Sequence, residues 1–133
     1  MKSNRELIYP ELSYKIMGIL FKVHNKLGST YQEKYYQRAI ETEFKKENIN
    51  YEREKMVKII YNQNTIGKYF IDFIIENKIA LEVKTDEFFR RKYLQQVLAY
   101  LNSTNLKLAI LVNFKRNKLW YKRIVNPKIK LIN

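Results

Sequence analysis

One helical segment that lies between two groups of strand-like segments constrains the fold of this chain more than any other feature. Residues 87–102 repeat apolar side chains at helical spacing. Apolar segments typical of β-strands precede it at 79–85 and follow it at 106–114 and 119–125. Strands on both sides of a crossover helix predict a mixed sheet with helices packed on it, in an α/β fold.

The first half of the chain adds two helices and two strands. Pro10 suits a helix start, Gly28 suits a helix end, and 62–64 has the composition of a hairpin turn. The predicted segments are helices at 11–27 and 31–48 and strands at 51–61 and 66–75. The predicted order of elements is therefore ααβββαββ.

Length and composition exclude several classes of protein. The 133 residues have the size of one domain. The absence of cysteine and the single histidine exclude disulfides, zinc–thiolate sites and a multi-histidine metal centre. No segment approaches the length of a membrane span, and the N-terminus lacks the apolar core of a signal peptide. We therefore expect a cytoplasmic protein without a membrane partner.

The charge is strongly positive and unevenly distributed. Lysine and arginine number 26 against 13 acidic residues, a net charge of +13, and residues 105–133 contain no acid. A polyanion, usually a nucleic acid, is the expected partner of such a chain, although solubility or a lysine-rich composition is the simpler alternative. Trp120 and Tyr121 fit core packing first and base stacking second. The candidate phosphate contacts are Arg90, Arg91, Lys92, Lys115, Arg116, Lys118 and Lys122.

Three charged side chains interrupt the two apolar strands around residue 76. Because strand side chains alternate between faces, Glu82 and Lys84 share one face of their strand, and Asp72 comes near Glu82 if the strands pair. With the Val83 carbonyl, the two carboxylates form an oxygen-rich site of the kind that Mg²⁺ prefers. The alternative is a strand whose charged face is solvated.

An acid also begins the apolar stripe of the second helix. Glu33 aligns with Tyr36, Ile40 and Phe44 at helical spacing. It could stabilise the positive end of the helix dipole, or it could reach the metal as a third carboxylate. In the third helix, Gln96 lies in an aromatic stripe with Phe89, Tyr93 and Tyr100, where an unpaired amide is costly.

Taken together, these motifs resemble a known family. The segment "VHNKLGSTYQEKYY" resembles the signature of the GxxExxY proteins, small members of the PD-(D/E)XK nuclease superfamily, and the likeness covers nearly the whole chain. The acid of the signature falls on Glu33 and its tyrosine on Tyr36. The superfamily aspartate falls on Asp72, and the E-x-K element falls on Glu82 and Lys84.

A further element is shared with the RecB-like branch of nucleases. Its Q-x-x-x-Y pattern falls on Gln96 and Tyr100. The loop before Glu33 departs from the family, because it reads "GSTYQE" where proline and a second glycine are common. The resemblance implies a restriction-endonuclease-like core, with residues 1–133 as a single PD-(D/E)XK nuclease-like domain.

The resemblance also implies hydrolysis of phosphodiester bonds with Mg²⁺ or Mn²⁺. The implied metal ligands are Glu33, Asp72, Glu82 and the carbonyl of Val83. Lys84 would assist the attacking water, while Gln96 and Tyr100 would position the metal site or the nucleic acid. We expect DNA rather than RNA as the substrate. The alternative is a non-catalytic nucleic-acid-binding module of a larger defence or repair assembly, and a homodimer stays open.

Overall fold

Five strands form one mixed sheet, in the order in which they occur along the chain. The computed structural model describes residues 8–128, so 1–7 and 129–133 of the predicted domain lie outside it. The elements are α1 (Pro10–Leu27), α2 (Glu33–Lys46), β1 (Tyr51–Tyr61), β2 (Asn64–Ile75), β3 (Ile79–Lys84), α3 (Arg91–Asn102), β4 (Leu108–Asn113) and β5 (Trp120–Val125). The predicted order ααβββαββ is confirmed. Strands β3 and β4 run parallel, and every other neighbouring pair is antiparallel.

The sheet has a hydrophobic core on each face. Alternate residues of β3, namely Ile79, Leu81 and Val83, pack with α1 and α2. Ala80 between them packs with α3 on the other face. All six residues of β4 are buried, as expected for a strand covered on both sides. The crossover helix α3 therefore covers the face that also carries Glu82 and Lys84.

Two boundaries differ from the predictions for local reasons. The hairpin between β1 and β2 has a two-residue turn, because Asn62 and Gln63 both adopt left-handed conformations with φ of 48° and 68°. Helix α3 begins at Arg91 rather than at residue 87, so Phe89 is not part of a helical stripe. The side chain of Asp86 accepts the N–H of Phe88 (3.2 Å), which holds this segment in a turn.

Within residues 8–128, no helix is both long enough and apolar enough to cross a bilayer.

Candidate active site

Asp72 and Glu82 meet where strands β2 and β3 separate. The paired residues run from Ile75 opposite Ile79 to Phe73 opposite Leu81. Beyond that point, hydrogen bonds from backbone N–H groups to side chains connect the two strands in place of backbone–backbone hydrogen bonds. The N–H of Asp72 donates to Oε2 of Glu82 (3.0 Å), and the N–H of Val83 donates to Oδ2 of Asp72 (2.8 Å). The structure therefore brings these two acids together, as the sequence predicts for paired strands.

Glu82 is buried rather than solvated. Only 3% of its surface is exposed. Burial, followed by the charge of Asp72, raises the pKa of Glu82 to about 8. Burial also raises the pKa of Asp72, against the hydrogen bond from Val83 and the charge of Lys84. The alternative of a solvated charged face is therefore wrong for Glu82.

Glu33 begins helix α2 on the side of these acids. It is partly buried, and its Oε2 accepts a hydrogen bond from Nε2 of Gln37 (3.4 Å). Burial and then the charge of Asp72 raise the pKa of Glu33, while the charge of Lys84 lowers it. These influences place Glu33 within electrostatic reach of both β2 and β3. Its position in the first turn also suits the helix dipole.

Tyr36, the tyrosine of the predicted signature, holds the loop that precedes Glu33. The hydroxyl of Tyr36 donates to the carbonyl of Gly28 (2.6 Å) and accepts the N–H of Tyr31 (3.3 Å). Its fully buried ring stacks on Phe114, with 4.4 Å between ring centres. Tyr36 is therefore a structural residue that fixes where helix α2 begins.

Lys84 ends strand β3 beside an aromatic ring. Its Nζ lies 4.7 Å from the centre of the Tyr93 ring, within the range of a cation–π contact. The charge of Lys84 lowers the pKa of Asp72, of Glu82 and of Glu33. The structure thus assembles Lys84 with the three predicted acids.

The hydroxyl of Tyr100 is buried beside the same acids. It has no hydrogen-bond partner within residues 8–128. Burial raises the pKa of Tyr100 well above its usual range, and the charges of Glu82 and Asp72 raise it further. Gln96 lies one turn earlier on α3 and is partly buried. The predicted roles of Gln96 and Tyr100 in positioning a metal site or a nucleic acid stay predictions.

The donor chemistry at β2 and β3 fits a divalent cation held by few protein ligands. Oδ2 of Asp72 and Oε2 of Glu82 each accept one N–H, and within residues 8–128 the other oxygen of each carboxylate makes no hydrogen bond. Mg²⁺ usually takes one or two carboxylates and keeps several waters. Across residues 8–128, however, no group of three or more His, Cys, Asp or Glu is arranged to hold a metal ion. Glu33 as a third ligand stays a prediction.

Sequence reasoning missed Arg53, which ties helix α2 to the site. Its guanidinium donates to Oε1 of Glu41 (3.0 Å), to Oε1 of Gln37 (2.9 Å) and to the carbonyl of Asp72 (3.3 Å). The same group lies 4.7 Å from the centre of the Phe73 ring. The pairing of Arg53 with Phe73 across β1 and β2 creates this contact. The contact depends on the register of the two strands, which the sequence pattern alone does not give.

Sequence reasoning also missed Asn113, at the end of β4. Its Nδ2 donates to the carbonyl of Asp86 (2.7 Å), and its Oδ1 accepts the N–H groups of Asp86 and Lys115 (3.1 Å each). The carboxylate of Asp86 in turn accepts the hydroxyl of Tyr93, the residue whose ring faces Lys84. Asn113 therefore fixes the loop that supports the lysine.

The predicted basic residues lie on two neighbouring segments and on β5. Arg91 and Lys92 are exposed at the start of α3, and Arg90 before them forms an ion pair with Asp86 (2.6 Å). The turn between β4 and β5 carries Lys115, Arg116 and Lys118, and Lys122 is exposed on β5. Tyr121 is also exposed, against the expectation that it packs in the core. Contact of these residues with phosphate stays a prediction.

Comparisons with known proteins agree with this architecture. The family model described as the PD-(D/E)XK nuclease superfamily matches residues 10–124. A search of curated proteins gave no significant match. Among solved structures, the crystal structure of SSO0001 is similar, with a TM-score of 0.53, 20% identity and 71% of this chain covered. This chain spans 50% of the length of SSO0001, and at such identity the likeness concerns the fold.

The family match covers most of the chain, and the structure has the corresponding fold. Its mixed five-stranded sheet with flanking helices is restriction-endonuclease-like. The acids and the lysine lie where β2 and β3 separate, on elements inside the matched range. The chain therefore belongs to the PD-(D/E)XK nuclease superfamily.

Proposed function

We propose that this protein is a metal-dependent nuclease that hydrolyses phosphodiester bonds, in DNA in preference to RNA. The observation that carries the proposal is the pairing of Asp72 and Glu82, with Lys84 on the same sheet edge: Glu82 accepts the N–H of Asp72, and Asp72 accepts the N–H of Val83. Superfamily membership supports nuclease activity in general. The Glu33 and Gln96 motifs support a finer assignment to the GxxExxY group of the RecB-like branch.

Each residue of the site has a role in this proposal. Asp72, Glu82 and the Val83 carbonyl would hold Mg²⁺ or Mn²⁺, which when bound supplies positive charge to the phosphoryl group. Lys84 orients the attacking water and stabilises the charge that develops on the phosphoryl oxygens. Glu33 adds negative charge at the start of α2, where it strengthens the attraction of a cation to the pair.

Tyr100 lies on helix α3 beside the acids, and Gln96 is partly buried one turn earlier on the same helix. The buried hydroxyl of Tyr100 can donate to a carboxylate or to a bound phosphate, since it has no other partner within residues 8–128. A buried hydroxyl without a partner costs about 1–3 kcal/mol, and a hydrogen bond made during turnover removes that cost. Tyr100 thereby positions the acids or the substrate. Gln96, one turn earlier on the helix, would help to position the same groups.

The proposed activity is tested by incubating the purified protein with labelled single- and double-stranded DNA and RNA. We expect cleavage of DNA with Mg²⁺ or Mn²⁺ and none with EDTA, because two acids repel a phosphate unless a cation lies between them. Glu82→Gln should abolish most cleavage. Glu52→Gln changes an exposed acid on β1, outside the site, and is the matched control. Equal cleavage by both variants would remove the site from the reaction.

A non-catalytic nucleic-acid-binding module is the second candidate. The specific observation in its favour is that no cluster of three or more potential metal ligands exists in the part of the chain that the structure describes. The net charge of +13 would support binding without cleavage. Salt-dependent DNA binding by a protein that shows no cleavage with either metal would favour this candidate.

Divalent cations should raise the melting temperature of the protein. A cation bound by Asp72 and Glu82 displaces the proton that Glu82 keeps below its pKa of about 8, and a ligand that binds only the native state stabilises it. At a concentration 100-fold above Kd, the gain is about 2.7 kcal/mol. Thermal melts with Mg²⁺, Mn²⁺ or NaCl at matched ionic strength measure it. Glu82→Gln should lose the shift, and an unchanged wild-type melting temperature at millimolar metal would contradict a preformed site.

A further inference from the structure

Two loops are fixed side by side at the sheet edge that carries Lys84. Strands β3 and β4 are parallel, with Lys84 paired to Asn113, so the following loops leave from the same edge. The N–H of Phe114 donates to the carbonyl of Lys84 (2.9 Å). Asn113 binds both Asp86 in the first loop and Lys115 in the second. The surface formed by the two loops therefore lies next to the proposed catalytic lysine and is held together by these hydrogen bonds.

The first loop presents two phenylalanines to solvent. Phe88 is 63% exposed and Phe89 is 43% exposed. The ring of Phe89 packs against Trp120 of β5, with 5.0 Å between ring centres. Asp86 holds the loop by accepting the N–H of Phe88 and the guanidinium of Arg90. Two adjacent exposed rings, with Trp120 packed beside the second, form an apolar patch of the kind that marks a binding surface.

The second loop forms a cationic cleft beside these rings. The cleft has a volume of about 470 Å³, and its lining consists of Glu87, Lys115, Arg116, Asn117 and Lys118. Glu87 adjoins Phe88 in the chain, which places the cleft next to the exposed ring. The buried ring of His24 bonds to the carbonyl of Arg116 (2.8 Å) and anchors this loop to α1. Three cations against one carboxylate favour an anionic ligand such as a phosphodiester chain.

We infer that these two loops bind an unpaired nucleic-acid strand, with a base stacked on Phe88 and phosphates in the cleft of Lys115, Arg116 and Lys118. Aromatic side chains stack on bases that are not already stacked in a duplex, and a cationic groove beside them follows the backbone. The inference rests on the proposed function and names its substrate class. The nuclease would act on single strands or on single-stranded ends and flaps.

Binding can be tested without cleavage by measuring it in EDTA on the full chain. Trp120 is the single tryptophan and touches Phe89, so its fluorescence reports on this surface. The probes are single-stranded DNA of about 16 nucleotides, the RNA of the same sequence and the DNA duplex. We expect single strands to quench Trp120 and to bind more tightly than the duplex. A tighter complex with RNA than with DNA would still support the surface, but as an RNA site.

Variants of Phe88 separate stacking from charge. Phe88→Ala should weaken single-strand binding by a factor between about 5 and 150 and leave duplex binding unchanged, since the stacking of one base on an aromatic ring is worth about that factor. Phe88→Tyr should keep the affinity, whereas Phe88→Leu should lose it, because leucine has no ring face on which a base can stack. Tyr14→Ala is the control, because Tyr14 on α1 is 82% exposed. Lys118→Ala should reduce the log–log salt slope by about 0.7 on single strands.

Three results would overturn the inference. They are equal single-strand affinity of Phe88→Ala and Tyr14→Ala, equal loss on duplex and single strand, or full competition by polyglutamate. The last result would mean a general anion surface. If the wild-type protein cleaves DNA and the Phe88→Ala variant binds single strands normally, this inference is wrong and the proposed function stands. If the protein binds single strands through Phe88 but does not cleave them, the proposed function is wrong and this inference stands.

Discussion

Replacing Lys84 with alanine should lower the rate of phosphodiester cleavage about 100- to 1000-fold, because one preorganised charge at the reacting oxygens is lost. Metal binding should stay nearly intact, since Lys84 is not a ligand. Glu82→Gln should behave differently, with weaker metal binding and partial recovery in excess Mn²⁺. Single-turnover cleavage rates and metal titrations followed by thermal shift distinguish the two variants.

The matched control for Lys84→Ala lies at the opposite end of the same strand pair. Lys107 is exposed just before β4, whereas Lys84 pairs with the last residue of β4. Lys107→Ala removes the same charge from the chain but none from the site, so its cleavage rate should match that of the wild type. If both variants cleave at the wild-type rate, Lys84 has no role in the reaction.

Glu82 should make the metal-free protein less stable as the pH rises. Its pKa in the folded protein is about 8, above the ordinary value of 4.5. Between these two values the folded state keeps a proton that the unfolded state has released. The free energy of unfolding therefore falls with pH across this window, by at most about 1.4 kcal/mol per pH unit. The contribution is absent below pH 4.5 and complete above pH 8.

Chemical denaturation in EDTA from pH 4.5 to 9 measures this effect as a difference between variants. Glu82→Gln keeps an oxygen that can accept the N–H of Asp72 but carries no charge. It should be more stable than the wild type at pH 8 and about equal at pH 4.5. Glu87→Gln should follow the wild-type curve, which separates the effect from the net charge. Parallel curves for all three proteins would mean that Glu82 ionises freely in the folded state.

Periodicity predicted the elements well because burial on this sheet follows simple alternation. Ile79, Leu81 and Val83 face one core, and Ala80 faces the other, as the two-residue period requires. The same alternation placed Glu82 and Lys84 on one face. It could not tell that α3 covers this face, since a charged strand face looks the same in sequence whether it is solvated or buried. The resemblance to a nuclease family supplied that distinction.

The missed features depend on contacts between distant segments. Arg53 reaches Asp72 through the register of β1 on β2, and Asn113 reaches Asp86 through the parallel pairing of β3 with β4. Neither contact leaves a periodic trace in the chain. The start of α3 was misplaced because Asp86 forms a local turn that competes with the helix.

The side-chain bonds between β2 and β3 restrict how this site could lose its chemistry during evolution. Asp72 and Glu82 close the strand pair as well as carrying charge, because each accepts a backbone N–H that the ladder leaves open. Alanine at either position would leave one of these backbone N–H groups without an acceptor, which would lower the stability by about 1–3 kcal/mol. Asparagine and glutamine would accept the same bonds. Relatives of this domain that have lost the activity should therefore carry asparagine or glutamine at these two positions, because the amides preserve the fold without the charge.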